Sequence, residues 1–294
     1  MELEFYDDAE AFLARAGEHL AADPVLGTVI ATVTQRFARG EDHPPEDRPT
    51  WWLAVVDDGR VVGAAMRTAR FEPRPLFVLP MPDDAAVALA LALHQRDEHP
   101  GGVNGALPAA RIVAEESARL WGGPARVDKH TRLFECREVL GPTSLSGTLR
   151  QARSEDADLC LDWFRRFHDD ADAQAGRPPT PDGHGEKAFN RTDVDARIAA
   201  GVLWLLEDAD GDVVHLSGAS EPAYGVSRIG PVYTPPEHRG RGHASEVVAE
   251  LTRRGLAEGT RMCLFTDQAN PTSNKIYEAI GYQRVVDMEH IVVG

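Results

Sequence analysis

The residues best suited to chemistry are gathered in one turn. Arg239-Gly240-Arg241-Gly242-His243-Ala244 follows a strand-like stretch, 229–234, that Pro235-Pro236 ends by removing two backbone donors. Beyond the turn, Ala244, Val247, Val248 and Leu251 fall at i, i+3, i+4 and i+7, which predicts a helix with Glu246, Glu250 and Arg253 facing water. A strand, a glycine turn and a helix N-terminus together make an anion site. The first helical N–H groups lack intrahelical acceptors, and the helix dipole favours negative charge there. Gly240 and Gly242 permit positive φ and close backbone approach, while Arg239 and Arg241 add charge. The same local pattern also fits an ordinary strand-to-helix turn with exposed arginines. Neither a Walker GK[ST] ending nor GxGxxG is present.

A second group of candidates lies further on. The unbroken apolar run 262–266 reads as a strand buried on both faces, with Cys263 as a small core residue rather than a nucleophile. Asn270-Pro271 then starts a helix that Gly281 is placed to end, with Ile276 and Ile280 as an inward pair. Asn270, Asn274 and Tyr277 stand at i, i+4 and i+7 on one face. By themselves they read as a cap, an exposed amide and a core ring. His168-Asp169-Asp170 with Asp172 reads as a solvated acidic helix end rather than a metal site.

The elements that must position these residues occur twice. Residues 51–68 and 203–220 each read as strand, Asp/Gly turn, strand, with Trp52 and Trp204 in equivalent places. Each hairpin is followed by a further strand, two helices and a closing strand, at 132–140 and 283–293. Duplication predicts two domains, 1–145 and 146–294, joined by the small-residue stretch 141–147. Residues 40–50 and 173–186 read as loops.

The turn and the second helix carry a resemblance. Arg239-x-x-Gly242-x-Ala244 is similar to the acetyl-CoA signature of the GNAT superfamily of N-acetyltransferases, and ANPTSNKIYEAIGY resembles a later segment of that family. The resemblance runs from about residue 149 to the C-terminus and is most specific over 229–282. It implies an α/β (α+β) fold of two tandem GNAT-like domains, each a mixed, mostly antiparallel sheet flanked by helices. It further implies that Arg239, Gly240, Arg241, Gly242, His243 and Ala244 hold the pyrophosphate of acetyl-CoA through main-chain N–H groups. Backbone groups of Val232, Tyr233 and Thr234 would pair with the pantetheine arm, Asn270 and Asn274 would lie at the cofactor, and Tyr277 would act as general acid. No metal is expected. The general base is open: VSRIGPVYT carries no carboxylate, Glu221 and Asp267 are nearest in sequence with ordinary readings as turn residue and strand-end cap, and a water chain could serve instead.

The N-terminal copy lacks the turn. FVLPMPDDAAVALALAL has neither arginine nor glycine there, and Asp83 and Asp84 would oppose an anion, so one cofactor per chain is expected. The expected activity is acetyl transfer to a primary amine by direct attack, the acceptor being a small molecule or a protein or peptide. The rival is a non-catalytic acyl-CoA-binding sensor or scaffold.

Composition narrows the partners. A formal net charge of -16 over 294 residues disfavours nucleic acid and anionic lipid surfaces. Hydrophobic content of 43% suits globular domains, and no apolar run is long enough to span a bilayer. The acidic start MELEFYDDAE lacks the features of a secretion signal, and Cys136, Cys160 and Cys263 form no CxxC pair. The chain reads as cytoplasmic, a monomer or homodimer.

Overall fold

The computed structural model describes residues 1–42, 44, 48–70, 72–177 and 190–294, with every side chain among them except that of His168. The loop expected at 173–186 lies from 178 onward outside the described residues, as do positions 43 and 45–47 of the loop expected at 40–50. The chain forms two compact units, one of Met1–Arg132 with Val286–Gly294, the other of Leu133–Val285. The division by compactness thus falls away from 145/146, and the last nine positions return to the first unit.

The first unit contains β1 (Glu2–Tyr6), α1 (Ala9–Ala22), α2 (Thr28–Ala38), β2 (Trp51–Asp57), β3 (Arg60–Arg67), β4 (Leu76–Val78), α3 (Asp83–Gln95), β5 (Gly102–Ala106), α4 (Ala109–Trp121) and most of β6 (Ala125–Cys136). Asp58 and Gly59 both take left-handed φ, the two-residue turn whose twist matches a β-hairpin, and β2 and β3 pair across it. Side chains alternate faces along β2. Trp51, Leu53 and Val55 pack with Leu89 and Leu93 of α3 and Val113 of α4. Trp52 instead meets Phe12 of α1 and Phe37 of α2. The sheet order β1-β2-β3-β4-β5 is completed by β12 (Tyr282–Val293), where Met288–Val292 pair antiparallel with Gly102–Ala106. β4 and β5 run parallel, and they stay paired to the end of β4 at Val78↔Gly105.

The second unit contains β7 (Thr148–Gln151), α5 (Ala157–Gln174), α6 (Arg191–Ala199), β8 (Leu203–Glu207), β9 (Val213–Ala219), β10 (Val226–Tyr233), α7 (His243–Ala257), β11 (Arg261–Asp267) and α8 (Pro271–Ile280). The strand order is β7-β8-β9-β10-β11, with β6 next to β11. Pairings are antiparallel from β7 to β10 and parallel between β10 and β11. Each face carries its own core. Leu206, Val214 and Ile229 pack with Val247, Val248 and Leu251 of α7 and Tyr277 of α8. Leu203, Leu205, Leu216 and Tyr233 pack with Cys160, Trp163 and Phe164 of α5 and Val194 of α6. Both units are therefore mixed, mostly antiparallel sheets flanked by helices, as expected. No described helix is long and apolar enough to cross a membrane.

Candidate active site

The site begins with an irregularity in β10. Ile229 pairs with Ala219, yet Val232 pairs with Ser217, so three steps on β10 match two on β9 and Gly230-Pro231 bulge out. The bulge presses close to its neighbour: a Cβ on Gly218 would lie 2.4 Å from the Gly230 carbonyl oxygen. Pairing of β10 with β11 runs from Val226↔Arg261 to Ile229↔Leu264 and does not continue. Val232 and Tyr233 keep their β9 partners, Ser217 and Leu216, while the other edge of residues 230–233 has none in β11. That edge includes Val232 and Tyr233, with Thr234 just beyond.

The chain then reverses through a 3-10 turn, Pro236–His238, into residues 239–242. Gly240 and Gly242 take φ of 77° and 90°, conformations that cost most residues strain. Gly242 is the N-cap of α7, and no side chain caps this helix. A Cβ on either glycine would meet nothing within 4 Å, so the backbone here borders open space. The first-turn N–H groups of α7, at His243 and Ala244, are left for an external acceptor.

Two side chains in this region differ from the simple sequence picture. Arg239 does not extend as a free charge: Nε donates to the Thr234 carbonyl (2.9 Å) and Nη2 to Asp170 Oδ2 (2.6 Å). Arg241 is exposed and donates to the Glu237 carbonyl at 3.3 Å. Glu246 was expected to face water and is instead buried. It accepts from the Ser146 amide (2.8 Å), from the Ser146 hydroxyl, and lies 3.0 Å from His243 Nδ1. The reason is geometric: residue 246 is in the first turn of α7, where residue 146 packs, and a buried carboxylate requires such partners. His243 is buried too, and its Nε2 has no partner among the described residues.

Beneath the strand end sits His215 of β9, fully buried and hydrogen-bonded to Thr234 Oγ1 (2.7 Å) and Ser217 Oγ (2.8 Å). Burial, with a smaller contribution from His243, lowers its pKa to about 3, so the ring is neutral at pH 7. In the sequence His215 has only its place in a strand to mark it, and the acidic run that holds Asp170 reads as a solvated helix end.

The second helix contributes Tyr277. Its ring is buried in the α7–α8 core and meets Tyr282 edge-on, 6.1 Å between centroids. Among the described residues its hydroxyl makes no hydrogen bond, and burial raises its pKa, so it stays protonated. Asn270 caps α8 by accepting from the Ser273 amide (3.1 Å) and donates to Gln174 Oε1 (3.1 Å). Asn274 is inward rather than exposed: Nδ2 donates to the carbonyls of Asp267, Gln268 and Asn270, while Oδ1 is buried without a partner.

The two candidate bases fare differently. Asp267 accepts from the Ala269 amide (2.8 Å) and is ion-paired with Arg177, which also binds Asp172 at 2.9 Å. Its carboxylate is held by local structure. Glu221 is exposed in the turn before β10. Cys160 and Cys263 are buried, and burial pushes the Cys160 thiol up to about 12, which makes it a core residue.

Residues 209–291 match the family described as FR47-like protein. No curated protein matches the chain by sequence. Solved structures do match in fold. A Drosophila protein aligns at a TM-score of 0.67 and 14% identity over 99% of this chain and 98% of its own. A GCN5-related N-acetyltransferase from Sphaerobacter thermophilus aligns at 0.59 and 17%, over 98% and 94%. A tandem GNAT protein from the clavulanic acid biosynthesis pathway aligns at 0.55 and 16%, over 99% and 97%. The bulged β10, the uncapped α7 and the two mixed sheets thus belong to a chain whose fold is similar to that of a tandem GNAT protein, with residues 209–291 matching the FR47-like family.

Proposed function

We propose that the second unit is an acyltransferase that moves acetyl from acetyl-CoA to a primary amine. The observation that carries this reading is the conjunction in one unit of an open, left-handed glycine turn at an uncapped helix and a strand edge left without a partner. The donor set suits the ligand: main-chain N–H groups at 242–244 for the pyrophosphate, and the edge of residues 230–233 for the amide-bearing pantetheine arm. Gly240, Arg241 and Gly242 line the turn, with Arg241 as its exposed charge.

In this reading the amine nitrogen attacks the thioester carbonyl, a C–N bond forms and the C–S bond breaks. The departing thiolate needs a proton, and the neutral, unpartnered Tyr277 hydroxyl is the candidate donor. The proton lost by the amine goes to water or to a carboxylate. The oxygens of Asp267 are already engaged by Arg177 and the Ala269 amide. The acceptor is a primary amine, small or peptidic.

The first unit is proposed to bind no cofactor. Its β4–β5 pair has no gap, since a Cβ on Gly105 would sit 2.1 Å from the Val78 carbonyl oxygen. Asp83 and Asp84 occupy the first turn of α3. Titration calorimetry with acetyl-CoA should give one site per chain; two equal sites would remove this assignment. Thiol release across an amine panel separates the enzyme from the alternative, a sensor or scaffold that binds acyl-CoA without turnover. The unassigned base favours that alternative, and the free Tyr277 hydroxyl favours the enzyme.

A further inference from the structure

Asp170 lies in the last turns of α5, 69 positions before the arginine it binds. Its Oδ2 accepts from two donors, Arg239 Nη2 at 2.6 Å and the Tyr233 hydroxyl at 2.8 Å. Tyr233 is the last residue of β10 and is buried, with Trp163 edge-on at 5.7 Å and the Arg166 guanidinium over its ring at 5.9 Å. Arg239 turns its Nε back to the Thr234 carbonyl. One carboxylate therefore ties a helix, the end of the bulged strand and the first residue of the glycine turn.

The turn needs such a tie. Glycines at 240 and 242 lose more conformational freedom on ordering than any other residue, so an untethered turn would sample many backbone shapes. Its helical end is pinned by Glu246 to Ser146. Its strand end is tied to α5 through Arg239 and Tyr233, both bound to Asp170. We propose that Asp170 is a positioning residue for acyl-CoA binding: it holds Arg239 as a strut, so that the N–H groups of the turn are preset for the pyrophosphate. This rests on the acyl-CoA reading above and adds a residue to it.

The proposal makes a prediction opposite to that of charge alone. Asp170 is an anion beside an anion site, so Coulomb's law says that neutralising it should tighten cofactor binding. Positioning says that binding should weaken. Asp170→Asn keeps an acceptor for Tyr233 but weakens the charge-assisted bond to Arg239. Acetyl-CoA affinity by calorimetry is expected to fall about tenfold, with KM for acetyl-CoA rising in step and kcat at saturation little changed. Arg239→Lys keeps the charge but loses the planar fork, so it should weaken binding similarly, and the double variant should be no worse than either single one. Asp169→Asn removes the same charge from an exposed neighbour and should leave affinity unchanged or slightly improved. In the protein without cofactor, backbone ¹⁵N order parameters at 240–242 should fall in Asp170→Asn. Equal or tighter binding by Asp170→Asn, additive losses in the double variant, or unchanged order parameters would each overturn the proposal. Were the wild-type chain to bind no acyl-CoA, the functional reading would fall, and the order parameters would still decide the role of Asp170.

Discussion

The imidazole of His215 and the hydroxyl of Thr234 are joined at 2.7 Å beneath the end of β10. The ring is sealed from water and its pKa is lowered to about 3 by burial. Its folded pKa lies below the unfolded value near 6.5, so the unfolded chain takes up the proton first as pH falls. The stability linked to neutral His215 is fully present above about pH 6.5 and is lost as pH drops toward 3. Urea unfolding should show a loss from this group of up to about 3 kcal/mol between pH 7 and pH 4. His215→Gln should flatten that slope, and parallel pH profiles for the two proteins would show that His215 is not responsible.

Tyr277→Phe removes one hydroxyl from a packed ring and should leave fold and cofactor affinity intact. If the hydroxyl protonates the leaving thiolate, kcat should drop by about 10²-fold or more. Burial raises the Tyr277 pKa, so no alkaline loss of activity from this group is expected up to about pH 10. Steady-state kinetics with a turned-over amine decides this, and an unchanged kcat excludes Tyr277 from the mechanism.

Gly242→Val places a β-branched residue at φ 90° and puts a side chain where the phosphate would lie. The backbone strain is on the order of 1–2 kcal/mol, and the steric block adds to it. Calorimetry should register no acetyl-CoA binding, while circular dichroism should still report a folded chain.

The strand formed by the last residues should be essential to the first unit. Met288, Ile291 and Val293 are buried in it, and Glu289 is buried with Arg111 as its ion-pair partner. Removing 286–294 deletes three buried apolar side chains, each worth about 2 kcal/mol, and strips β5 of an antiparallel neighbour. Limited proteolysis should then digest residues 1–132 rapidly, whereas a truncated chain as resistant as the full one would contradict this dependence.

Local chemistry made much of this protein legible in its sequence. The Asp-Gly turns, the Asn270-Pro271 helix start, the glycines at 240 and 242 and the duplicated order of elements all depend on residues a few positions apart, so spacing alone reveals them. The unbroken apolar run at 262–266 likewise marks a buried strand. What the tertiary structure decided depends on residues far apart in the chain. Nothing near Asp170 in sequence says that it meets Arg239, nothing near Glu246 says that Ser146 will bury it, and nothing near residue 286 says that the following strand pairs with β5. The amphipathic pattern of α7 assigns residue 246 to water because the pattern knows only the helix, not what packs against its first turn. Hydrophobic periodicity determines which faces are buried. Which polar groups must then find partners inside, and where, is settled only when distant elements close together.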